Sequence, residues 1–448
     1  MDQQLKKDIK HQFFHYALPS VMAMWVYTIY TMVDGMFVAN GVGITALAAV
    51  NIAMPMINTA FALGILFAVG ASTRASYYKG QGNPHRASEV FTTSTVTVFV
   101  LAIIVSLVVS FNMDAVVRLL GADEDTHQYV KDYLHIIVAF IPCYMTAYNM
   151  EVLIKADGHP KKAIATTSVG AVTNIFLDCL FVMKFHWVIK GAAIATGIAQ
   201  VTAFVIFFTH FARNKTGFTF VEFRWRLREV LHFAKVGIAD AVTEFSVGVI
   251  IFSFNNVLLH ISGNDGIAIY TVIAYVSQLI LMTMMGINQG MQPLVSFYYG
   301  QNKPTVYRYI LRVALVTAGV ASLIAFALGM FWPQPIVALF INPALDHALY
   351  LEGLTAFRLF SISFLPLGYV VILYGYFTAL ELSRQAMAIS ISRGLVLVLI
   401  ALAVMAYCFG ETGVWLSMAV SETLSLILAV VLFFCAFRRG RKKKQPQL

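Results

Sequence analysis

The chain of 448 residues is 59% hydrophobic and only 12% charged, with a mean hydropathy of +0.76; soluble domains are about 45–50% apolar and about 25% charged. Those figures exclude disorder, a disulfide-stapled secreted fold and an ordinary soluble enzyme. A net charge of +9 would suit a nucleic-acid binder in a soluble chain. Here the basic residues sit between long apolar runs, so a lipid bilayer is the expected partner and nucleic acid is not.

Taken in chain order, apolar runs start near Phe13, Ala46, Phe91, Tyr133, Ala163, Gly191, Leu231, Gly266, Val313, Leu359, Gln385 and Thr412. Residues 91–113 and 266–302 hold no Asp, Glu, Lys or Arg, and about 18 such residues suffice to cross a ~30 Å hydrocarbon layer. The first run follows Met1–His11 and is too long for a signal-peptide core, so it reads as an uncleaved helix. With a cytoplasmic amino terminus, 26 of the 31 basic residues fall on the inner side, leaving only Arg118, Lys131, Lys184, Lys190 and Arg358 outside. That asymmetry follows the positive-inside rule and supports twelve spans with both termini cytoplasmic. On this topology the acceptor pattern Asn214-Lys215-Thr216 is silent. The four cysteines, in separate apolar runs without CxxC spacing, read as small buried hydrophobes.

The two halves repeat each other weakly but in order. Gly70 and Gly290 are 220 residues apart, as are Gly80 and Gly300, which open the similar turns Gly80-Gln81-Gly82-Asn83-Pro84 and Gly300-Gln301-Asn302-Lys303-Pro304. An even number of spans per half gives both copies one orientation, as in transporters built of parallel repeats around a mid-membrane site. The expected fold is an all-α integral membrane protein, with two six-helix lobes related by a pseudo-two-fold axis along the membrane normal. Residues 1–212 form the amino-terminal lobe and 213–229 a basic cytoplasmic linker. Residues 230–448 form the carboxy-terminal lobe and its basic tail.

Ionisable groups inside the hydrocarbon region are costly and normally face the bundle interior or water. Asp34, Asp178, Glu244 and Glu422 stand out on that ground. Asp34 precedes the outer turn Gly41-Val42-Gly43 by about eight residues; Asp178 precedes the turn near Trp187 by nine, and Thr196 follows it by nine. At about 1.5 Å per residue, all three lie ~12–14 Å below the outer turns. Asn174, four residues before Asp178, shares its helix face. Such a group forms either an oxygen cage for a monovalent cation or a carboxylate pair that shares a proton. The bland alternative is that these residues cap or cross-link helices.

Glu244 falls nearer the inner half. Glu422 lies at the depth of the first cluster in the other lobe, and Arg393 is a cation able to pair with either. Glu151 and Lys155, at i and i+4 near an inner end, read as a surface bridge. Pro19 early in span one permits a bend below Asp34; Pro55, Pro142, Pro293 and Pro366 read equally well as fixed packing kinks. Tyr27 and Tyr30 share Asp34's face, while Tyr270, Gln278 and Tyr374 offer similar groups in the second lobe. Aromatic faces and the chain's 19 methionines suit large apolar cations, so Tyr27, Tyr30, Glu244, Tyr270, Gln278, Tyr374 and Glu422 are the candidate substrate contacts.

Several stretches, in order along nearly the whole chain, resemble the multidrug and toxic compound extrusion (MATE) family in its bacterial branch. They are Met32-Val33-Asp34-Gly35-Met36-Phe37-Val38, Leu47-Ala48-Ala49-Val50-Asn51 with Pro55, and Ala156-Asp157-Gly158-His159-Pro160. Thr173-Asn174-Ile175-Phe176-Leu177-Asp178 follows, then Gly290-Met291-Gln292-Pro293 running into Tyr299-Gly300. The resemblance implies a plasma-membrane exporter of organic cations and drugs, driven by inward Na⁺ or H⁺ and needing no other cofactor. By position Asp34, Asn174, Asp178 and Thr196 match the family's amino-lobe cation site, which is where Na⁺ would bind, and Tyr30 and Pro19 match neighbours involved in bending.

The expectation is a secondary antiporter, working as a monomer, with ion coupling at Asp34 and Asp178. The rival within the superfamily is a flippase for lipid-linked oligosaccharide, which would carry more spans and a basic cleft. A membrane enzyme would need an HExxH, GxSxG or nucleotide-loop pattern, and none is found in the sequence. A channel would betray itself by single-channel currents.

Overall fold

A computed structural model describes residues 1–41, 44–185, 187–213, 217–344 and 346–442. The turn residues Val42 and Gly43, the Asn214-Lys215-Thr216 pattern and the tail lysines Lys443 and Lys444 lie outside them. Long apolar sequences must satisfy every backbone group internally in lipid, and they do so as helices. The amino-terminal half consists of α1 (Gln3–Gly41), α2 (Ile44–Gly80), α3 (Pro84–Phe111), α4 (Glu124–Ala156), α5 (Pro160–Asp178) and α6 (Val188–Arg213). The second half consists of α7 (Leu227–Ile261), α8 (Gly263–Gly300) and α9 (Pro304–Phe331), followed by α10 in two pieces, His347–Ser361 and Phe364–Ala379. Its last span candidate, Ser383–Ala436, holds a non-helical Gly410 at φ 59° and ψ −138°, and so divides into α11 and α12. Twelve spans result among the described residues.

Local chemistry explains the boundaries. Pro84, Pro160 and Pro304 each sit in the first turn of a helix, where a missing N–H costs nothing. Asn83 caps α3 through the Arg86 N–H at 3.0 Å, and an Asp123–Thr126 capping box starts α4. Gly82 and Asn302, 220 residues apart, both take a left-handed φ, 76° and 55°, so the repeated turn keeps its shape with different residues.

The lobes meet along α1, α2, α7 and α8. A Cβ on Gly70 would lie 2.0 Å from the Phe233 carbonyl oxygen, and one on Gly237 2.0 Å from that of Leu66. Cβ atoms on Gly286 and Gly290 would lie 2.5 Å from the Cα atoms of Val21 and Ala17. The seam is reciprocal: shifting α2 residues by 220 and α1 residues by 216 converts the α2–α7 contacts into the α1–α8 contacts. Gly80 against Phe297, at 2.0 Å, and Gly300 against Tyr77, at 2.2 Å, complete the symmetry. All these contacts lie toward the end of the bundle that carries the 80–84 and 300–304 turns. Hydrogen bonds between the lobes' helices reach from Tyr298–Gln12 (2.9 Å) up to Trp25–Thr283 (2.9 Å), and among the described residues none lies beyond that point.

Charge closes the same end. Arg74 Nη1 of α2 donates to both carboxylate oxygens of Glu381, each at 3.0 Å, and Arg86 of α3 reaches Glu229 of α7 at 3.2 Å. Glu381 stands at φ 57°, 223 residues after Gly158, which takes φ 104° in the first copy. A non-glycine residue there costs free energy, and its pairing with Arg74 is the compensation. Burial opposes ionisation of Glu381, yet His232 at 3.2 Å and Arg74 outweigh it and hold the carboxyl below its ordinary value.

Two outcomes follow for the closed end. Gly300→Leu drives a side chain into the Tyr77 carbonyl, so the thermal midpoint in detergent is expected to fall by several degrees, at least the ~1–3 kcal/mol of ordinary overpacking; a parental midpoint would mean the seam is loose. Because the Glu381 carboxyl is depressed in the folded state, its contribution is present above the ordinary Glu value and lost as pH falls through the lowered one. The distance between spin labels placed on either side of this end should therefore lengthen at acid pH in the parent, and be longer and less dependent on pH in Glu381→Gln.

Candidate functional site

Asp34, on the far half of α1, and Asp178, at the end of α5, bring their carboxyl groups face to face within hydrogen-bonding reach. Asp178 is fully buried. One turn earlier on α5, Asn174 faces it too, and donates through Nδ2 to Thr196 Oγ1 of α6 at 3.3 Å. The helix then continues in wider π pitch over Cys179–Lys184, a local irregularity common at functional sites. Four oxygens of the cluster, Asp34 Oδ1, both of Asp178 and Asn174 Oδ1, are buried without a well-formed hydrogen bond from any described residue. Buried acceptors left in that state are costly and call for an explanation. Chemically, the group is equipped to hold one positive charge, as a shared proton or as a small cation among oxygens.

Asp34 opens onto a cavity of about 740 Å³, counting solvent at its mouth, which Asn58 and Tyr133 also line. A larger cavity of about 1050 Å³ by the same measure lies alongside. Tyr27, Tyr30, Tyr144, Thr196 and Gln200 line both, so Asp34 stands at the wall of one of two adjoining cavities, with Asp178 buried behind it. Its wall is an aromatic stack, with Phe61 centred 6.3 Å from Tyr27, 5.3 Å from Tyr144 and 4.6 Å from Tyr148.

The other lobe closes this larger cavity with Asp240 and Glu244 of α7 and with Met282, Met285 and Gln289 of α8. Asp240 was missed by the sequence reading. It is buried, accepts from Gln292 Nε2 at 3.4 Å, and stands one turn before Glu244, a spacing that signals a second acid on the same face. The Glu151–Lys155 surface bridge is also corrected. Lys155 is only 2% exposed, and its ammonium donates to Glu151 Oε1 at 2.8 Å and, across the lobes, to Gln289 Oε1 at 2.8 Å. Helical spacing fixed the pair but carried no information on α8, which covers it.

The remaining candidates separate from this space. Tyr270, Gln278 and Glu422 line a different cavity, of about 700 Å³ with its mouth, within the second lobe. There the Arg393 Nε–Glu422 Oε1 contact at 2.8 Å joins two buried charges, so Arg393 pairs with Glu422 and leaves Glu244 to the larger cavity. Tyr374 lines neither cavity: it is fully buried, its hydroxyl 2.9 Å from the Met285 sulfur, because the second piece of α10 runs through the centre of its lobe. Pro19 is buried inside α1 between the seam residues Ala17 and Val21.

A family profile described as MatE matches residues 19–180 and 241–405. The multidrug export protein MepA of Staphylococcus saprophyticus is 24% identical over 441 residues, covering 97% of this chain and 96% of that protein. A crystal structure of MATE in complex with MaL6 superposes with a TM-score of 0.90 at 19% identity, covering 98% of each chain. An outward-facing multidrug resistance MATE family transporter of the MOP superfamily gives 0.89 at 20% identity, over 99% of this chain and 98% of that one. The structural likenesses establish the fold.

The facing carboxyls make their own forecast. Asp178→Asn supplies an amide donor to Asp34, a charge-assisted bond in the ~1.5–3 kcal/mol range. Its thermal midpoint in low-salt alkaline buffer should rise by a few degrees over the parent. A fall, with parental helicity by circular dichroism, would mean the two groups do not meet.

Proposed function

Because the chain belongs to the MatE family of membrane transporters, we propose that it is a multidrug exporter that moves organic cations out of a bacterial cell in exchange for inward Na⁺ or H⁺. The observation that carries this reading is the set of four buried acceptor oxygens around Asp34 and Asp178, next to an aromatic, acid-bearing cavity large enough for a drug-sized cation. The name of MepA, a multidrug export protein similar along nearly its whole length, agrees with it. Asp240 and Glu244 opposite the aromatic stack favour a cationic cargo over an anionic lipid headgroup.

In the proposed orientation the basic, glycine-sealed end faces the cytoplasm of a cell bounded by its plasma membrane, and the cavity is reached from outside. Na⁺ or H⁺ enters at Asp34 and Asp178 as a transported species and supplies the charge those oxygens lack. The response falls on α1. Its stretch from Ala17 to Val21 is pinned against Gly290 and Gly286, so movement is left to the part beyond Pro19, which interrupts the helix hydrogen bonds. Thr28 and Thr31 in that part bond back to the carbonyls of Met24 and Tyr27 at 2.9 and 3.0 Å, a habit that bends helices. Repacking α1 shifts Tyr27 and Tyr30, which line both cavities, and so lowers cargo affinity as the ion binds. By linkage, cargo lowers ion affinity by the same factor.

The test uses protein reconstituted in liposomes, with ethidium as cargo and the Na⁺ and pH gradients imposed separately. One gradient is expected to drive transport in the parent, with Asp34→Asn and Asp178→Asn at least about tenfold slower. Variants that pump at the parental rate would overturn coupling at the aspartates, and a parent indifferent to both gradients would overturn antiport.

A further inference from the structure

At the floor of the larger cavity, two acceptors from different lobes converge: Glu151 Oε1 on α4 and Gln289 Oε1 on α8, each 2.8 Å from the Lys155 ammonium. Both acceptor residues line the cavity. Lys155 is 2% exposed, among the least solvated lysine positions a chain can hold, and a buried ammonium is tolerated only when paired. The seat has the components of a cation subsite: a carboxylate, an amide carbonyl and the adjoining Tyr148 of the aromatic stack. It is filled by a cation that belongs to the chain.

We propose that the Glu151–Gln289 pair is an ammonium subsite of the cargo cavity and that Lys155 is its tethered competitor, which sets the charge of cargo the protein accepts. The assignment rests on the reading of the cavity as a cargo site for organic cations. With Lys155 seated, Glu151 is neutralised, and Asp240 and Glu244 of the other lobe remain to meet a cation. A singly charged, largely aromatic molecule is then matched. A cargo with a second, alkylammonium charge gains from Glu151 only by displacing Lys155, and that displacement also breaks the Lys155–Gln289 bond between the lobes. Removing the lysine charge should therefore favour dications selectively, which a role in packing alone would not do.

Ethidium and propidium share one fluorescent ring system and differ by a side arm that ends in a quaternary ammonium. The ratio of their dissociation constants in purified full-length protein therefore reads the charge of the subsite, and propylammonium, which carries N–H donors, reads its hydrogen bonding. In Lys155→Met the preference for propidium relative to ethidium should rise by about tenfold or more, the scale of one added partly buried charge contact. Lys155→Arg should keep the parental ratio. Propylammonium should compete with propidium in Lys155→Met and not in the parent. Should Lys155→Met fail to fold, Lys155→Gln, which keeps hydrogen bonding without the charge, carries the same expectation. A folded neutral variant with an unchanged ratio, or with no propylammonium competition, would overturn the subsite. If the parent binds neither dye, the organic-cation reading itself falls; if it binds ethidium and only the ratio fails to move, that reading stands and Lys155 loses its assignment.

Discussion

Two carboxyl groups that face each other, one fully buried and the other at the wall of a cavity, keep both negative charges only at a high cost without a cation or proton between them. Asp34 and Asp178 impose that condition at the contact between α1 and α5, and the surrounding residues relieve it only in part: Asn174 gives one N–H to Thr196 and faces Asp178, and no described residue donates squarely to either oxygen of Asp178. The cost of leaving those acceptors bare is of the order of a few kcal/mol per group. On the proposed reading, a binding event worth that much, located at a helix contact, would be enough to choose between two packings of α1. The same residues that wall the aspartates, Tyr27 and Tyr30, wall the larger cavity, so a choice made at one end of the space is felt along it.

That choice needs something fixed to work against, and the lobe seam supplies it. Glycines let α2 approach α7 and α8 approach α1 at backbone contact, and the contacts reproduce themselves under the repeat. A pseudo-two-fold interface of this kind has two copies of one solution, so both helix pairs are held at the same close approach. The pairs of Arg74 with Glu381 and Arg86 with Glu229 are different in kind. They lie at the periphery of the closed end, are broken by separation, and depend on salt and pH in a way that glycine contacts do not.

Much of the scaffold was legible before any coordinates. Unbroken apolar runs, the bias of basic residues and the 220-residue echo are properties of composition and period, and they led to twelve spans in two copies. The meeting of Asp34, Asn174, Asp178 and Thr196 was reachable by depth, because helix rise converts sequence distance from a turn into height. Height is not azimuth, however. Nothing in the spacing of Tyr374 told which way it faced within its lobe, and the π turns after Asp178 and at Arg393 leave no mark in hydrophobic period. Contacts between lobes were the least legible. The burial of Lys155 and the convergence of Asp240 and Glu244 on a cavity formed largely by the other half depend on how two domains dock, and a single chain's pattern does not encode that.

The repeat also shows where symmetry was given up. The turn shapes and two glycine pairs of the seam, Gly70 with Gly290 and Gly80 with Gly300, are kept in both copies, while the charges are not. Among the described residues, no Lys or Arg side chain pairs with Asp34 or Asp178 of the first lobe. The second holds Glu422 already answered by Arg393 at 2.8 Å, in a cavity of its own. That balance is local, since Asp240 of the second lobe is also buried, with one carboxylate oxygen unmatched beside the larger cavity. The duplicated frame therefore assigns mechanical equivalence to the halves and chemical inequality to their sites. On the proposed antiport reading, an ion acting on one lobe and a cargo cavity closed by the other would make a symmetric frame directional.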